Sequence, residues 1–217
     1  MYTKRKSKIG RIVLSLMFVG ILSVSAGQPP QKTYKDYPEW EMLPDAVDFE
    51  DEEVERAFQR LIEKGEAAHE GLLAIVRECE ETRMARRALG ILRATRGDKR
   101  KVAAELKEVL VERLPTATGV EEWLMTDIAA ALADMGDEAD MEALVPMLSH
   151  PELRVRIIGA WCLGKRGGLQ SKAALEEAMA RDPHPRMQEE FGKAIADIES
   201  RLAEKEAAAH AEPAPSP

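Results

Sequence analysis

The chain has 217 residues, of which 45% are hydrophobic and only 5% aromatic, and its 31 basic and 39 acidic residues give a net charge of −8. This length suffices for one domain with additional segments at its ends. The acidic excess argues against general nucleic-acid binding, which relies on lysine and arginine at the phosphates. Alanine, leucine, glutamate and arginine are abundant and no stretch alternates like a half-buried strand, so the composition predicts an all-α fold.

Residues 1–26 have the organisation of a signal peptide. Five basic residues and no acidic one precede an apolar run from Ile12 to Val24. The run is shorter than the roughly 20 apolar residues that a membrane-spanning helix needs. Small side chains before Gly27 predict cleavage after Ala26 and a periplasmic or secreted protein. Cleavage would leave 26 basic against 39 acidic residues, a net charge of −13. A retained leader would instead tether the chain to a membrane.

Residues 27–50 form an arm that is rich in proline and acidic residues. This composition is typical of a disordered linker, which is the interpretation that we favour. Three aromatic residues, Tyr34, Tyr37 and Trp40, leave a second interpretation open, because clustered aromatic side chains are unusual in a solvated segment. In that alternative the arm packs along the first repeat or against a partner.

Residues 51–205 contain an internal repeat. Segment 66–76 aligns with segment 138–148, and the leucines at 72, 106, 144 and 175 in this frame are 34, 38 and 31 residues apart. Such periods are typical of stacked helix pairs. Turns with glycine predict pairs at 51–79, 82–112, 120–149 and 151–181, then a capping helix near 184–204 and a disordered tail at 206–217. The first helices of the pairs are anchored by Leu61, Leu92, Leu132 and Leu163.

Several residues are predicted to begin helices or to define their buried faces. The expected N-caps are Thr82, Asp98, Asp137 and Asp182. After Asp137, a helical period of apolar residues predicts an α-helix with a face formed by Met141, Leu144, Val145 and Leu148.

The clearest repeat lies in residues 137–164, where V-R-x-x-x-A-x-x-L-G follows Pro151. This pattern resembles HEAT repeats, in particular the short bacterial type named after phycobilisome lyases. The resemblance implies a short right-handed α-solenoid of about four helix pairs plus a C-terminal capping helix, usually serving as a binding surface. The structural repeat positions are Leu72, Leu106, Leu144, Leu175, Val155, Arg156, Leu163 and Gly164.

The resemblance also implies that Arg156 is structural and pairs with an aspartate of a neighbouring turn. Asp137 and Asp182 are the expected acceptors, because arginine is suited to bidentate pairing with carboxylates. Met125 and Gln188 stand at the equivalent positions of other repeats. A continuous arginine ladder is therefore not expected.

Groups that could perform chemistry are sparse. Cys79 and Cys162 are expected to be buried and not bonded to each other, because the repeats separate them by more than a disulfide can span. None of the four histidines belongs to a metal-binding motif, and no phosphate loop, dinucleotide fingerprint or nucleophile elbow is present. We therefore predict no catalytic residue, no metal and no cofactor.

Charge is unevenly distributed along the chain. A candidate partner-binding basic patch consists of Arg83, Arg86, Arg87, Arg93, Arg96, Lys99, Arg100 and Lys101. The preceding segment from Asp36 to Glu55 contains ten acidic residues and no basic one. The patch is expected to bind an anionic partner or the acidic arm itself. Trp123, Trp161 and Met147 are expected to lie in the core between repeats, with partner contact as the alternative.

These features predict an exported, non-catalytic HEAT-repeat scaffold for protein–protein interaction. The expected partner is a protein with an acidic surface rather than a nucleic acid, and a membrane is involved only if the leader is retained. The alternative is a phycobilin-lyase-like protein, or another enzyme or chromophore-handling protein. The oligomeric state is left open by the sequence.

Overall fold

The computed structural model describes residues 32–43 and 52–211, and the predicted signal peptide lies outside these ranges. The described residues form helices joined by short connections, with no strand among them. The α-helices are α1 (Pro38–Met42), α2 (Glu52–Lys64), α3 (His69–Glu78), α4 (Thr82–Ala94), α5 (Lys99–Arg113), α6 (Val120–Met135), α7 (Leu153–Arg166), α8 (Leu169–Arg181) and α9 (Pro185–Ala211). Segments of 3₁₀ helix cover Tyr34–Asp36, Gly65–Ala68 and Ala139–Ser149.

The helices pack as a short α-solenoid with two layers. The first layer consists of α2, α4, α6, α7 and α9, and the second of α3, α5, the 3₁₀ segment Ala139–Ser149 and α8. The second helix of a predicted pair packs more extensively on the first helix of the next pair than on its own partner. Contacts between neighbouring repeats therefore hold the solenoid together, as expected for a repeat architecture.

The leucine periodicity located the core in both layers. The following leucines are fully buried: Leu61, Leu92, Leu132 and Leu163 in the first layer, and Leu72, Leu106, Leu144 and Leu175 in the second. A Cβ atom at Gly164 would lie 2.8 Å from the Cα of Ala194. The motif glycine thus allows α7 and α9 to approach each other closely.

Helix α9 extends beyond its predicted end. It runs to Ala211, so the prediction of a disordered tail is wrong for residues 206–211. This stretch contains alanine and glutamate, which favour helix even where few tertiary contacts support it. Phe191 and Ile198, nearer the start of α9, are fully buried against the last repeat.

The segment Ala139–Ser149 differs most from expectation, because it is a 3₁₀ helix rather than an α-helix. Met141, Leu144 and Met147 are fully buried. Their spacing of three matches the roughly three residues per turn of a 3₁₀ helix, so they line one face. Pro146 lies inside the segment, where an α-helix would bring its ring against a carbonyl group. Val145, an expected core residue, is only half-buried.

One of the four predicted N-caps, Asp98, is confirmed. The Asp98 carboxylate accepts hydrogen bonds of 3.0 and 3.1 Å from backbone N–H groups that begin α5. The Asp137 carboxylate accepts bonds of 3.0 and 3.2 Å from the backbone N–H groups of Ala139 and Asp140, but Glu138 stands at the N-cap of the 3₁₀ segment. Thr82 is already inside α4, with Glu81 at the N-cap. Asp182 accepts from the backbone of the turn before α9 and does not cap that helix.

Side chains from neighbouring elements cap the carboxyl ends of helices. The pairs of donor and carbonyl are Arg113 with Val76 at 3.1 Å, Lys99 with Leu92 at 2.8 Å, Arg166 with Asp134 at 3.0 Å and Arg201 with Gly164 at 2.7 Å. The last carbonyl groups of a helix lack partners within it, and that end favours positive charge. These cations therefore stabilise the ends and tie the repeats together.

Gln188 replaces an arginine in this capping role. Its amide nitrogen donates hydrogen bonds to the carbonyl groups of Met179 at 2.5 Å and Asp182 at 2.6 Å. Arg156 makes the corresponding bonds, at 2.8 Å each, to the carbonyl groups of His150 and Pro151. The arginines are discontinuous in sequence, but the hydrogen bonds recur at two of the three equivalent positions.

The described part of the arm, residues 32–43, is folded against α3, so the favoured prediction of a disordered linker is wrong there. Glu39 is 4% exposed and pairs with Lys64 at 2.9 Å. The Tyr37 hydroxyl donates to Glu70 at 2.8 Å. Gly71 provides the space, because a Cβ atom there would lie 2.4 Å from the Glu39 carboxylate. These residues contact the first repeat rather than the predicted basic patch.

Candidate protein-binding surface

The predicted basic patch is not one surface. Arg83, Arg86 and Arg87 line a groove along the first layer, whereas Arg96, Arg100 and Lys101 are exposed around the connection from α4 to α5. Most of α4, a helix about 20 Å long, separates these groups. Arg87 is only 5% exposed. Lys99 donates to the carbonyl groups that end α4, and burial lowers the pKa of its ammonium.

A second arrangement, which we call the tryptophan face, involves three consecutive helices of the first layer. Its residues are Arg86 and Arg93 from α4, Trp123, Asp127 and Asp134 from α6, and Arg154, Trp161 and Lys165 from α7. Sequence reasoning placed both tryptophans in the core. They are instead 42% and 43% exposed, whereas Met147 is fully buried.

Ion pairs join α4 to α6 at two levels of the tryptophan face. Arg86 pairs with Asp127, and Arg93 pairs with Asp134. The two arginines and the two aspartates are each seven residues apart, which is about two helical turns. The same contact is therefore repeated along two neighbouring helices.

The contact between α6 and α7 has a constant register. The Arg154 guanidinium lies 3.1 Å from the ring centroid of Trp123, and Lys165 pairs with Asp134 at 2.5 Å. Both pairs join positions 31 residues apart in the sequence. Trp161 lies between Arg154 and Lys165 on α7, with the Lys165 ammonium 4.9 Å from its ring centroid. The two tryptophans thus belong to one surface.

Electrostatics on this face favours an added anion. Burial alone would raise the pKa of Asp134, but hydrogen bonds from Lys165 and Arg93 outweigh it and hold the pKa below its usual value. Asp134 thus forms ion pairs with two cations, Arg93 and Lys165. Arg154 forms no ion pair with any residue that the structure describes, although its charge lies over Trp123. The face thus has four cations but only two carboxylates, which pair with three of them.

An open groove of about 1190 Å³ adjoins the tryptophan face between α2, α4 and α6. Phe58 and Ile62 form an apolar wall on α2, and Trp123 lies on the opposite side. Glu55, Glu80 and Glu81 also line the groove, so it is less basic than the arginine count suggested. Its position could not be inferred from sequence, because it depends on how α2, α4 and α6 pack together.

The thiols and histidines occupy structural environments. Cys79 and Cys162 are buried and free, and burial raises the pKa of the Cys162 thiol to about 12. His69, whose position the sequence left unassigned, is buried with its Nε2 2.8 Å from the Thr95 hydroxyl. His150 accepts a hydrogen bond from the Glu152 backbone, and His184 is exposed.

Two features are absent from residues 32–43 and 52–211, the part of the chain that the structure describes. Within these ranges no cluster of histidine, cysteine or carboxylate side chains has the arrangement of a metal site. No helix in them combines the length and hydropathy that crossing a bilayer requires.

Comparison with known families supports the repeat interpretation. Residues 124–196, from α6 to α9, match a family model described as HEAT repeats. The resemblance is thereby confirmed, whereas the match does not identify the phycobilisome-lyase type. A comparison with curated proteins finds no match.

Proposed function

Because the chain carries HEAT repeats, we propose that it is a non-catalytic scaffold that binds a partner protein through the tryptophan face. The observation that supports this most directly is the exposure of Trp123 and Trp161 on one surface, each with a cation over its ring. Tryptophan and arginine are the residues most enriched among those that dominate binding energy at interfaces. Their stacking also fixes the side chains before a partner arrives, which reduces the entropy lost on binding.

Site-specific photo-crosslinking in the source cells tests this proposal. Benzoylphenylalanine would replace Trp161 in one variant and Glu108, an exposed residue of α5 in the second layer, in a matched control. We expect a discrete crosslinked protein from position 161 and none from position 108. Adducts from the second layer alone, or from neither position, would contradict the proposed surface.

The leader predicts where the scaffold acts, and we include export in the proposal. N-terminal sequencing of the protein from its source cells should give a chain that starts at Gly27. An intact leader would place the scaffold at a membrane surface instead, with the same face available to a partner.

A further inference from the structure

The tryptophan face has more cations than carboxylates at each end of one stripe on α7. Arg154 and Lys165 are eleven residues apart, which brings them to nearly the same side of the helix about 16 Å from each other. Trp161 lies between them on that side, and Ile158 is half-buried next to it. The stripe therefore has cationic ends and an apolar middle.

Each end has one carboxylate for two cations. At one end Arg86 pairs with Asp127, while Arg154 stacks on Trp123 without a carboxylate among the described residues. At the other end Arg93 and Lys165 share Asp134. A guanidinium has five N–H donors and a single carboxylate occupies at most two, so both ends retain donors for another anion.

Resting on the proposed function, we infer that the partner presents an amphipathic helix with acidic residues at both ends of one face and apolar residues between them. Acidic residues eleven positions apart would meet Arg154 and Lys165 together, because a helix lying along α7 has the same period. The apolar residues between them would pack on Trp161 and the edge of Trp123.

The solenoid already contains a helix contact of this kind. Asp127 and Asp134 of α6 meet Arg86 and Arg93 of α4 at matching intervals. The partner helix would make ion pairs of the same kind on α7, at an interval of eleven rather than seven residues. The adjoining groove is lined by three glutamates and Asp127 as well as by three arginines, so it offers an acidic helix no excess of positive charge, and α7 is favoured over α2.

Synthetic helical peptides test the inference with a defined probe. The first peptide is alanine-rich and has two glutamates eleven residues apart with two leucines between them on one face. A second has the same composition with the glutamates moved to other faces, and a third has lysines in place of the glutamates. We expect the first peptide to bind about threefold to tenfold more tightly than the second, and more weakly as salt rises.

Charge reversal gives the sharper measurement. Arg154→Glu and Lys165→Glu should each weaken binding of the glutamate peptide, and the doubly substituted protein should bind the lysine peptide instead. Arg96→Glu is the matched control, since it makes the same charge change at an exposed residue outside the face.

Equal binding of the first two peptides, equal effects of Arg96→Glu and Arg154→Glu, or no binding of the glutamate peptide would overturn the inference. Photo-crosslinks that persist at position 161 despite such a result would leave the proposed surface intact and reject only the acidic helix. If the glutamate peptide does not bind and no crosslink forms at position 161, the proposed surface is rejected as well.

Discussion

Arg156 of α7 forms an ion pair with Asp182, with 3.0 Å between Nε and Oδ2. Asp182 is one of the two acceptors that the repeat pattern suggested, and it lies in the turn that leads into α9. Both side chains are largely shielded from solvent. Since the same guanidinium also donates to two carbonyl groups after the 3₁₀ segment, Arg156 connects three consecutive elements.

Replacing Arg156 with leucine should therefore destabilise the last repeats. The change removes the ion pair with Asp182 and leaves two carbonyl groups without their donor, and we expect a loss of about 1.5–3 kcal/mol in the free energy of unfolding. Urea denaturation would measure it. Arg186→Leu is the control, because its pair with Glu190 is exposed and 4.0 Å long, and its effect should stay below about 0.5 kcal/mol. Equal effects of the two substitutions would refute the bridging role.

Gly71→Ala should release the arm without harming α3. The added methyl group would lie 2.4 Å from Glu39 and 3.0 Å from Tyr37, whereas alanine itself favours the helix. Hydrogen exchange should increase in residues 32–43. Gly90→Ala in α4 is the matched control, since nothing lies within 4 Å of the position that its methyl group would occupy. This substitution should stabilise the protein by about 0.5–1 kcal/mol. An arm that stays protected in Gly71→Ala would show that the close contact does not hold it.

His69 should make stability depend on pH. Burial, followed by the charges of Lys99 and Lys101, lowers its pKa from 6.5, and Glu66 and Asp98 oppose this only in part. The unfolded chain thus binds a proton more readily, so stability should fall as pH decreases below about 6.5 until the lower, folded-state pKa is passed. Thermal unfolding of the wild type and His69→Gln between pH 5 and pH 8 would measure it. A slope that survives the substitution would assign the effect to other groups.

Leu144→Ala tests the register of the central repeat. Leu144 is fully buried, so its truncation should cost about 2–5 kcal/mol. Val145→Ala is the informative comparison, because Val145 is half-buried on the 3₁₀ segment and should cost less. If the substitution at Val145 proved the more damaging one, the buried face would have to be that of an α-helix.

The sequence was most informative where a signal repeats. Leu61 and Leu144 could be identified as core residues because each recurs in other repeats at nearly the same period, and Asp98 could be identified as a cap from local chemistry alone. Thr82 shows the limit of such local signals. The residue before it, Glu81, is the N-cap of α4, and Thr82 is already the first residue of that helix.

The exposed features depended on distances that a sequence does not contain. Trp123 reads as a core residue from its helical spacing, and only the position of α7 shows that Arg154 covers its ring. The basic run between Arg83 and Lys101 suggests one patch because its residues are close in sequence. Helix α4 instead places them at opposite ends, and two of them, Arg86 and Arg93, pair with aspartates of α6. The burial of Glu39 depended on the absence of a side chain at Gly71.

The 3₁₀ segment also determines how many residues a repeat needs. A 3₁₀ helix rises about 2.0 Å per residue and an α-helix about 1.5 Å. The eleven residues of Ala139–Ser149 therefore span roughly the same 20 Å as the thirteen residues of α8. Winding more tightly lets a shorter stretch of chain cross the full width of its layer. A repeat that loses two residues in this layer can thus keep its neighbours in place.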